Sequence, residues 1–272
     1  MERGIKFFTS AVMIFLLVNV HHAQNNNFKT VKVNDYLTIN EIEKDVYRVS
    51  HRFPWQANSL LVRVGDKDFV LADTPIENTG SEALVEWMRK EFGDIKLTVI
   101  NCHFHIDCLG GNHYMINQGF PVYASDMTLK LFEENKGNMI DRMLQGIRDS
   151  MIINSIKNLQ PTAPDHIFKA EEGLTLHIGK EDIDIYYPGP AHTKDNIVVF
   201  FPEKGILYGG CMVKALEQSN LGNQSDADFE AWPASAQELL DKYPDAKIVV
   251  PGHGMWGDLI IVRHTLELLK KR

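Results

Sequence analysis

Apolar and polar residues alternate between two spacings along the chain, and the alternation repeats. NSLLVRV (residues 58–64) and KDFVLADTP (residues 67–75) are short, mostly apolar runs on either side of Gly65-Asp66, the pattern of two buried strands joined by a tight turn. SEALVEWMRKEFG (residues 81–93) then changes to helical spacing and stops at Gly93, a residue that favours helix ends. KLTVINCHFH follows as a strand that runs into histidines. The second half has the same succession. NIVVFFP and ILYGGC flank a turn at Glu203-Lys204-Gly205, WPASAQELLDKY is a helix with Pro233 in its first turn, and AKIVVPGHG is a strand that runs into His253. Two halves, roughly residues 24–165 and 166–272, each built as hairpin, helix and strand, predict an α/β fold of two face-to-face sheets with helices outside, an αββα sandwich.

Two other segments have patterns of their own. Residues 1–23 carry Arg3 and Lys6, an apolar run from Phe7 to about Val20, and the small residue Ala23. They read as a cleaved signal peptide, because the run is shorter than the ~20 residues that span a bilayer. The expected mature protein is residues 24–272, a single exported domain in the periplasm with no stable membrane association. Residues 136–161 place Met139, Ile140, Met143, Leu144, Ile147, Met151, Ile152 and Ile156 on one helical stripe. The stripe reads as core, with one helix face available to roof a site.

Composition narrows the partners. The 272 residues are 44% hydrophobic and 24% charged with a net charge of -8, and the charges are scattered without a basic run, so no nucleic-acid partner is expected. Cys102, Cys108 and Cys211 are the only cysteines. An odd set of three is no disulfide framework and leaves a thiol for other chemistry.

The chemistry lies at the predicted strand ends. In NCHFHIDCLGGNHY, His103, His105 and Asp107 alternate, which puts them on one side of an extended segment. His192 in PGPAHTKDN, Cys211 in LYGGC and His253 in VPGHG stand where later strands give way to loops. These are six residues of zinc-binding types, enough for two neighbouring sites of three protein ligands each, and a three-ligand site keeps a position open for water, as catalytic zinc does. His51, His113, His166, His177 and His264 have no neighbours at metal spacing and read as structural.

These motifs resemble those of the metallo-β-lactamases, specifically the first subclass of class B β-lactamases, over essentially the whole mature chain. The resemblance rests on LADTP, HFHID followed by LGGN, GPAHTKDN, GGCMVK, LGN at residues 221–223, and PGHG. Cys211 narrows it, since other members of the wider superfamily place a bridging Asp there. The resemblance implies two zinc ions, the first on His103, His105 and His192, the second on Asp107, Cys211 and His253. It implies hydrolysis of a β-lactam amide, with Asp107 orienting the attacking hydroxide, Asn223 donating to the carbonyl oxygen and Lys214 pairing with the substrate carboxylate. Asp73 is expected as a buried group behind the ligands. A monomer is expected.

Three features depart from the family's usual pattern. Cys108 stands where Arg is common, the loop at residues 51–59 is short, with only Phe53, Pro54 and Trp55 available as a flap, and the connection at residues 136–161 is long. An alternative is another metallo-hydrolase of the same fold acting on a lactone or thioester, which would want an oxygen ligand at position 211. A non-catalytic zinc protein would close all four positions on one metal.

Overall fold

A computed structural model describes residues 29–272; the expected signal peptide lies outside them. The first half runs β1 (Thr30–Lys32), β2 (Leu37–Glu43), β3 (Val46–Arg52), β4 (Gln56–Arg63), β5 (Asp68–Ala72), α1 (Asn78–Phe92), β6 (Lys96–Ile100), α2 (Ile106–Leu109) and α3 (Asn112–Asn117). It continues through β7 (Val122–Ser125), α4 (Asp126–Asn135), α5 (Met139–Leu144), α6 (Ser150–Lys157) and β8 (His166–Phe168), which lies just past the expected boundary at residue 165 and still joins the first sheet. The second half has β9 (Leu174–Ile178), β10 (Glu181–Tyr186), β11 (Val198–Phe201), β12 (Ile206–Gly210), α7 (Trp232–Lys242), β13 (Ile248–Pro251) and α8 (Ile260–Lys270).

β1 to β8 form one sheet in chain order, and the second sheet is ordered β13-β12-β11-β10-β9. The repeat seen in the sequence is present in the pairings. β4 and β5 are antiparallel and β6 joins parallel to β5 after α1. β11 and β12 are antiparallel and β13 joins parallel to β12 after α7. Leu60, Val62 and Val70 face Ile185, Val199, Phe201 and Val250 between the sheets, while Leu61, Phe69 and Leu71 on the other face pack under Leu84, Trp87 and Met88 of α1. Burial on both faces is why these strands are continuous apolar runs instead of alternating ones. Trp232, Leu239, Ile261 and Val262 of α7 and α8 cover Val198, Leu207 and Val249, which completes the αββα layering.

Two expectations need correcting. β6 ends at Ile100, and Asp107 lies on the short helix α2, so His103, His105 and Asp107 do not share one face of an extended strand; a turn and a helix bring them together. The stripe at residues 136–161 is two helices and not one. Gly146, at φ +80°, separates α5 from α6, and Asp149 caps α6 by accepting from the amides of Met151 (2.8 Å) and Ile152 (3.2 Å). Its reading as core holds in part: Met139, Met143 and Ile156 pack against Ile76, Phe104, Ile106 and Leu109, with Ile140, Leu144, Ile147 and Ile152 half-buried beside them, but Met151 is exposed. The insert thus supports the back of the segment that carries the histidines.

Candidate metal centre and active site

The frame of the site is set by groups that touch no substrate. Asp73, just past β5 at φ +59°, accepts from the Cys102 amide at 2.7 Å, and its Oδ2 lies 2.9 Å from the Tyr208 hydroxyl. That hydroxyl is also 2.8 Å from the Asn58 carbonyl. The Tyr208 hydroxyl has one proton for two acceptors, Asp73 Oδ2 and the Asn58 carbonyl, and burial pushes the Asp73 carboxyl up to about 8. Asn satisfies the same pattern, whereas Ala leaves buried donors unpaired. Asp73→Asn is therefore expected to melt within a few degrees of the parent, and Asp73→Ala to lose roughly 2–4 kcal/mol, about 1–3 kcal/mol for each orphaned group. Equal melting temperatures for the two variants would show that the hydrogen bonds of Asp73 do not stabilise the fold.

The carbonyl of Cys108 takes three donors, Thr74 N (2.8 Å), Thr74 Oγ1 (3.1 Å) and Asn101 Nδ2 (2.9 Å), which lock the turn through His103, His105 and Asp107. The double glycine after it has a steric cause. A Cβ on Gly110 would sit 1.9 Å from the Ile76 carbonyl oxygen, and one on Gly111 1.9 Å from Ser81 Oγ of α1.

On this frame the six predicted residues meet as two clusters. His103, His105 and His192 form the first, with donor atoms within 4.8 Å of one another and ring centroids 4.7–5.2 Å apart. Asp107, Cys211 and His253 form the second within the same limit. The outward nitrogens set the ring orientations. His253 Nδ1 donates to the Gln56 carbonyl at 2.7 Å, leaving Nε2 beside Cys211 Sγ (3.4 Å) and Asp107 (3.2 Å). His105 Nε2 faces Asp226 Oδ2 at 2.9 Å, leaving Nδ1 opposite His192 Nε2 at 3.3 Å.

Charge fits a cation in both places. Burial pushes His103 and His192 down, so both rings are neutral and have a lone pair to offer. At the second cluster burial works to raise Asp107, but the hydrogen bond and charge of His253 hold it well below the usual carboxylate range. Cys211 is held down first by a hydrogen bond from Cys108, against burial, with His253 adding to the effect. Burial lowers His253, yet Cys211 and Asp107 raise it well above its ordinary value. Without metal, the two anions keep a proton on His253; a divalent cation displaces it and takes over the neutralisation.

Cys108, fully buried, stays a thiol because burial and the neighbouring anions push it up. Its Sγ is 3.0 Å from His103 Nδ1, and His103, Cys108 and Cys211 form a third group with donors within 4.8 Å. All three cysteines are free. Protein stripped of metal and exposed to air is accordingly expected to form a Cys108–Cys211 disulfide, the Cys108 thiol and the Cys211 thiolate passing two electrons to dioxygen with the protons of Cys108 and His253, and to regain zinc only after reduction. Three free thiols counted after oxidation would exclude it.

The remaining predicted residues lie around the clusters. Lys214 is 2% exposed, its amide bonds Thr265 Oγ1, and its ammonium sits 5.4 Å from the Trp232 ring. Among the described residues it has no ion pair. Burial lowers it while Cys211 and Asp107 raise it. Asn223 is exposed, and its Oδ1 accepts from Ser225 N (3.1 Å) and Oγ (3.0 Å), which leaves the amide nitrogen as its donor. The flap between β3 and β4 is the short loop expected, Phe53, Pro54 and Trp55. Of the histidines read as structural, His51 is buried with neither ring nitrogen partnered, while His113 contacts Asn117 and Thr162 at the surface. Sequence reasoning missed Asp226 and Arg142: each is a single charged residue, and no spacing relates either to the histidine it affects.

An αββα sandwich whose loops bring two three-donor clusters together at one edge defines a metal-dependent hydrolase. The family model of the metallo-beta-lactamase superfamily matches residues 52–253. The chain is 32% identical over 249 residues to a metallo-beta-lactamase type 2 of Bacteroides fragilis, covering 89% of each protein. It is 36% identical over 207 residues to one of Pseudomonas aeruginosa, covering 76% of this chain and 72% of that one. The solved metallo-beta-lactamase from Pontibacter korlensis superposes with TM-score 0.69 at 32% identity, covering 90% of this chain and all of the other (100%). The solved enzyme TMB-1 gives TM-score 0.72 at 31% identity over 88% of this chain and 99% of its own. This chain belongs to the metallo-β-lactamase superfamily.

Proposed function

We propose that the protein is an exported β-lactamase that uses two zinc ions to hydrolyse the cyclic amide of β-lactam antibiotics and so confers resistance. The observation that carries this reading is the Asp107-Cys211-His253 cluster beside the three-histidine cluster, together with similarity across most of the chain to metallo-beta-lactamases type 2. His103, His105 and His192 would hold the first ion, and Asp107, Cys211 and His253 the second. Zinc held there supplies a Lewis acid and lowers the pKa of water to about 7.

The side chains do the rest. Asp107 would orient the attacking water with its carboxylate. Asn223 donates from Nδ2 to the carbonyl oxygen as negative charge develops on it. Lys214, buried beside Trp232, receives the carboxylate that these substrates carry. No side-chain nucleophile is needed, so no covalent enzyme intermediate is formed. Residues 1–23 support export to the periplasm, and no helix among the described residues is long and apolar enough to cross a membrane. The protein acts on small molecules as a monomer, and its net charge of -8 gives nucleic acid no purchase.

The test is hydrolysis of a penicillin, a cephalosporin and a carbapenem by purified protein, with and without a chelator, alongside elemental analysis. Turnover that chelation abolishes and zinc restores, at two zinc per chain, is the expected result. Hydrolysis of lactones or thioesters with none of β-lactams would overturn the substrate assignment.

Lys214→Ala is expected to raise KM by about 10- to 100-fold, the equivalent of a charged hydrogen bond of roughly 1.5–3 kcal/mol, with a smaller change in kcat. Lys214→Met, which keeps the stem over Trp232, should share the KM effect and spare the melting temperature. An unchanged KM across several substrates refutes the role.

A further inference from the structure

We infer that Arg142 of α5 is a positioning residue for both the three-histidine cluster and Asn223. The guanidinium spans three elements. Its Nη2 bonds Asp226 Oδ2 and Ser225 Oγ (2.8 Å), and its Nη1 reaches Asn135 Oδ1 at the end of α4 (3.4 Å). Asp226 Oδ2 is the acceptor that faces His105 Nε2 at 2.9 Å, and Ser225 Oγ lies 2.9 Å from the same oxygen and 3.0 Å from Asn223 Oδ1. One cation thus anchors a four-residue loop, residues 223–226, that orients a metal-binding imidazole at one end and presents an amide donor at the other.

The arrangement suits arginine. A planar fork carries two nitrogens in fixed directions, so it can hold the Asp226 carboxylate and the end of α4 at once, which a lysine point charge cannot. The pair is also sheltered: the Arg142 side chain is 30% exposed, Asp226 24% and His105 13%, so solvent competes less than at an open surface pair. The scaffold behind it is packed against the histidine segment. Met139 and Met143, on the same short helix as Arg142, are fixed against Phe104 and Ile106, the residues interleaved with His103, His105 and Asp107. The insert therefore grips the histidine segment twice, from behind through apolar packing and from the front through Arg142, Asp226 and His105. Without the guanidinium, the carboxylate loses its outer anchor and can rotate, and His105 loses the fixed Nε2 partner that keeps Nδ1 turned to the cluster.

This inference rests on the two-zinc reading, and its test separates the two. Zinc is withdrawn from the loaded protein with a competing chromophoric chelator, and the cobalt-substituted protein is examined by absorption. In Arg142→Met the three-histidine cluster is expected to hold zinc about tenfold more weakly, the low end of the range for groups behind a metal ligand. Its cobalt d–d bands should change, while the thiolate-to-cobalt charge-transfer band of the Cys211 cluster stays as in the parent. Arg142→Lys should recover part of the affinity, and in an Asp226→Asn background Arg142→Met should add little further loss. Parent-like affinity and spectra in Arg142→Met, or an undiminished loss in the Asp226→Asn background, would overturn the positioning role. Should Arg142→Met fail to fold, Arg142→Lys decides on the same spectra, with unchanged bands and affinity counting against it. A parent protein that binds only one metal, or hydrolyses no β-lactam, would instead refute the reading beneath it.

Discussion

Cys211→Ala is expected to remove one of the two proposed zinc ions per chain and to cut kcat/KM by roughly 10²–10⁴-fold, the several kcal/mol of charge stabilisation that a catalytic metal supplies. The thiolate is the central donor of its cluster: its Sγ is 3.4 Å from His253 Nε2, and it contributes to two of the three groups of metal-competent side chains. Asp107 and His253 alone are two donors, and the anion that keeps a proton on His253 is reduced to one. The fold around Cys211 is shaped to the sulfur. A Cβ on Gly252 would lie 2.5 Å from Sγ, so the glycine before His253 exists to let the sulfur and the imidazole approach each other. The void left by Ala is small, and the metal-free variant should melt close to the metal-free parent. Elemental analysis with steady-state kinetics is the check, and two zinc ions retained at an undiminished rate would remove Cys211 from the metal centre.

Met143→Ala is expected to cost about 2–5 kcal/mol, the range for deleting most of a buried Met side chain and leaving a partly relaxed cavity. Met143 is 6% exposed in the cluster built from Ile76, Phe104, Ile106, Leu109 and Phe132. At ~2–4 °C per kcal/mol for a domain of this size, melting should fall by roughly 5–15 °C. Phe104 and Ile106 alternate with His103, His105 and Asp107, so part of the loss should also appear as weaker zinc retention. An altered choice of substrate with an unchanged melting temperature would mean that Met143 faces substrate and not core.

The clusters in Cys211→Ala and the packing in Met143→Ala come from opposite ends of what can be read in a linear chain. Strands with both faces buried appear as uninterrupted apolar runs, and helices appear as a change to helical spacing, so the hairpin-helix-strand repeat and the αββα layering were legible before any coordinates. The six residues that meet in the two clusters were legible too, because most sit just beyond such a run and chemistry limits which side chains bind zinc.

Local geometry was less accessible. The strict alternation of His103, His105 and Asp107 suggested a strand, but the three-donor clamp on the Cys108 carbonyl and the close approach of Ile76 to Gly110 bend that segment into a turn and a short helix. The stripe at residues 136–161 suggested one helix, because a break costs little in periodicity; Gly146 and the Asp149 cap signal it only when weighed against the stripe.

Apolar periodicity, turn residues and the alphabet of metal ligands are properties of neighbouring positions, and the sequence by itself determined the layers of this protein and the contents of its site. The union of Arg142, Asp226 and His105 was decided by the tertiary structure alone. These residues are separated by 84 and 121 positions, and a single hydrogen bond between distant charged side chains leaves no period, spacing or composition for a linear reading to detect.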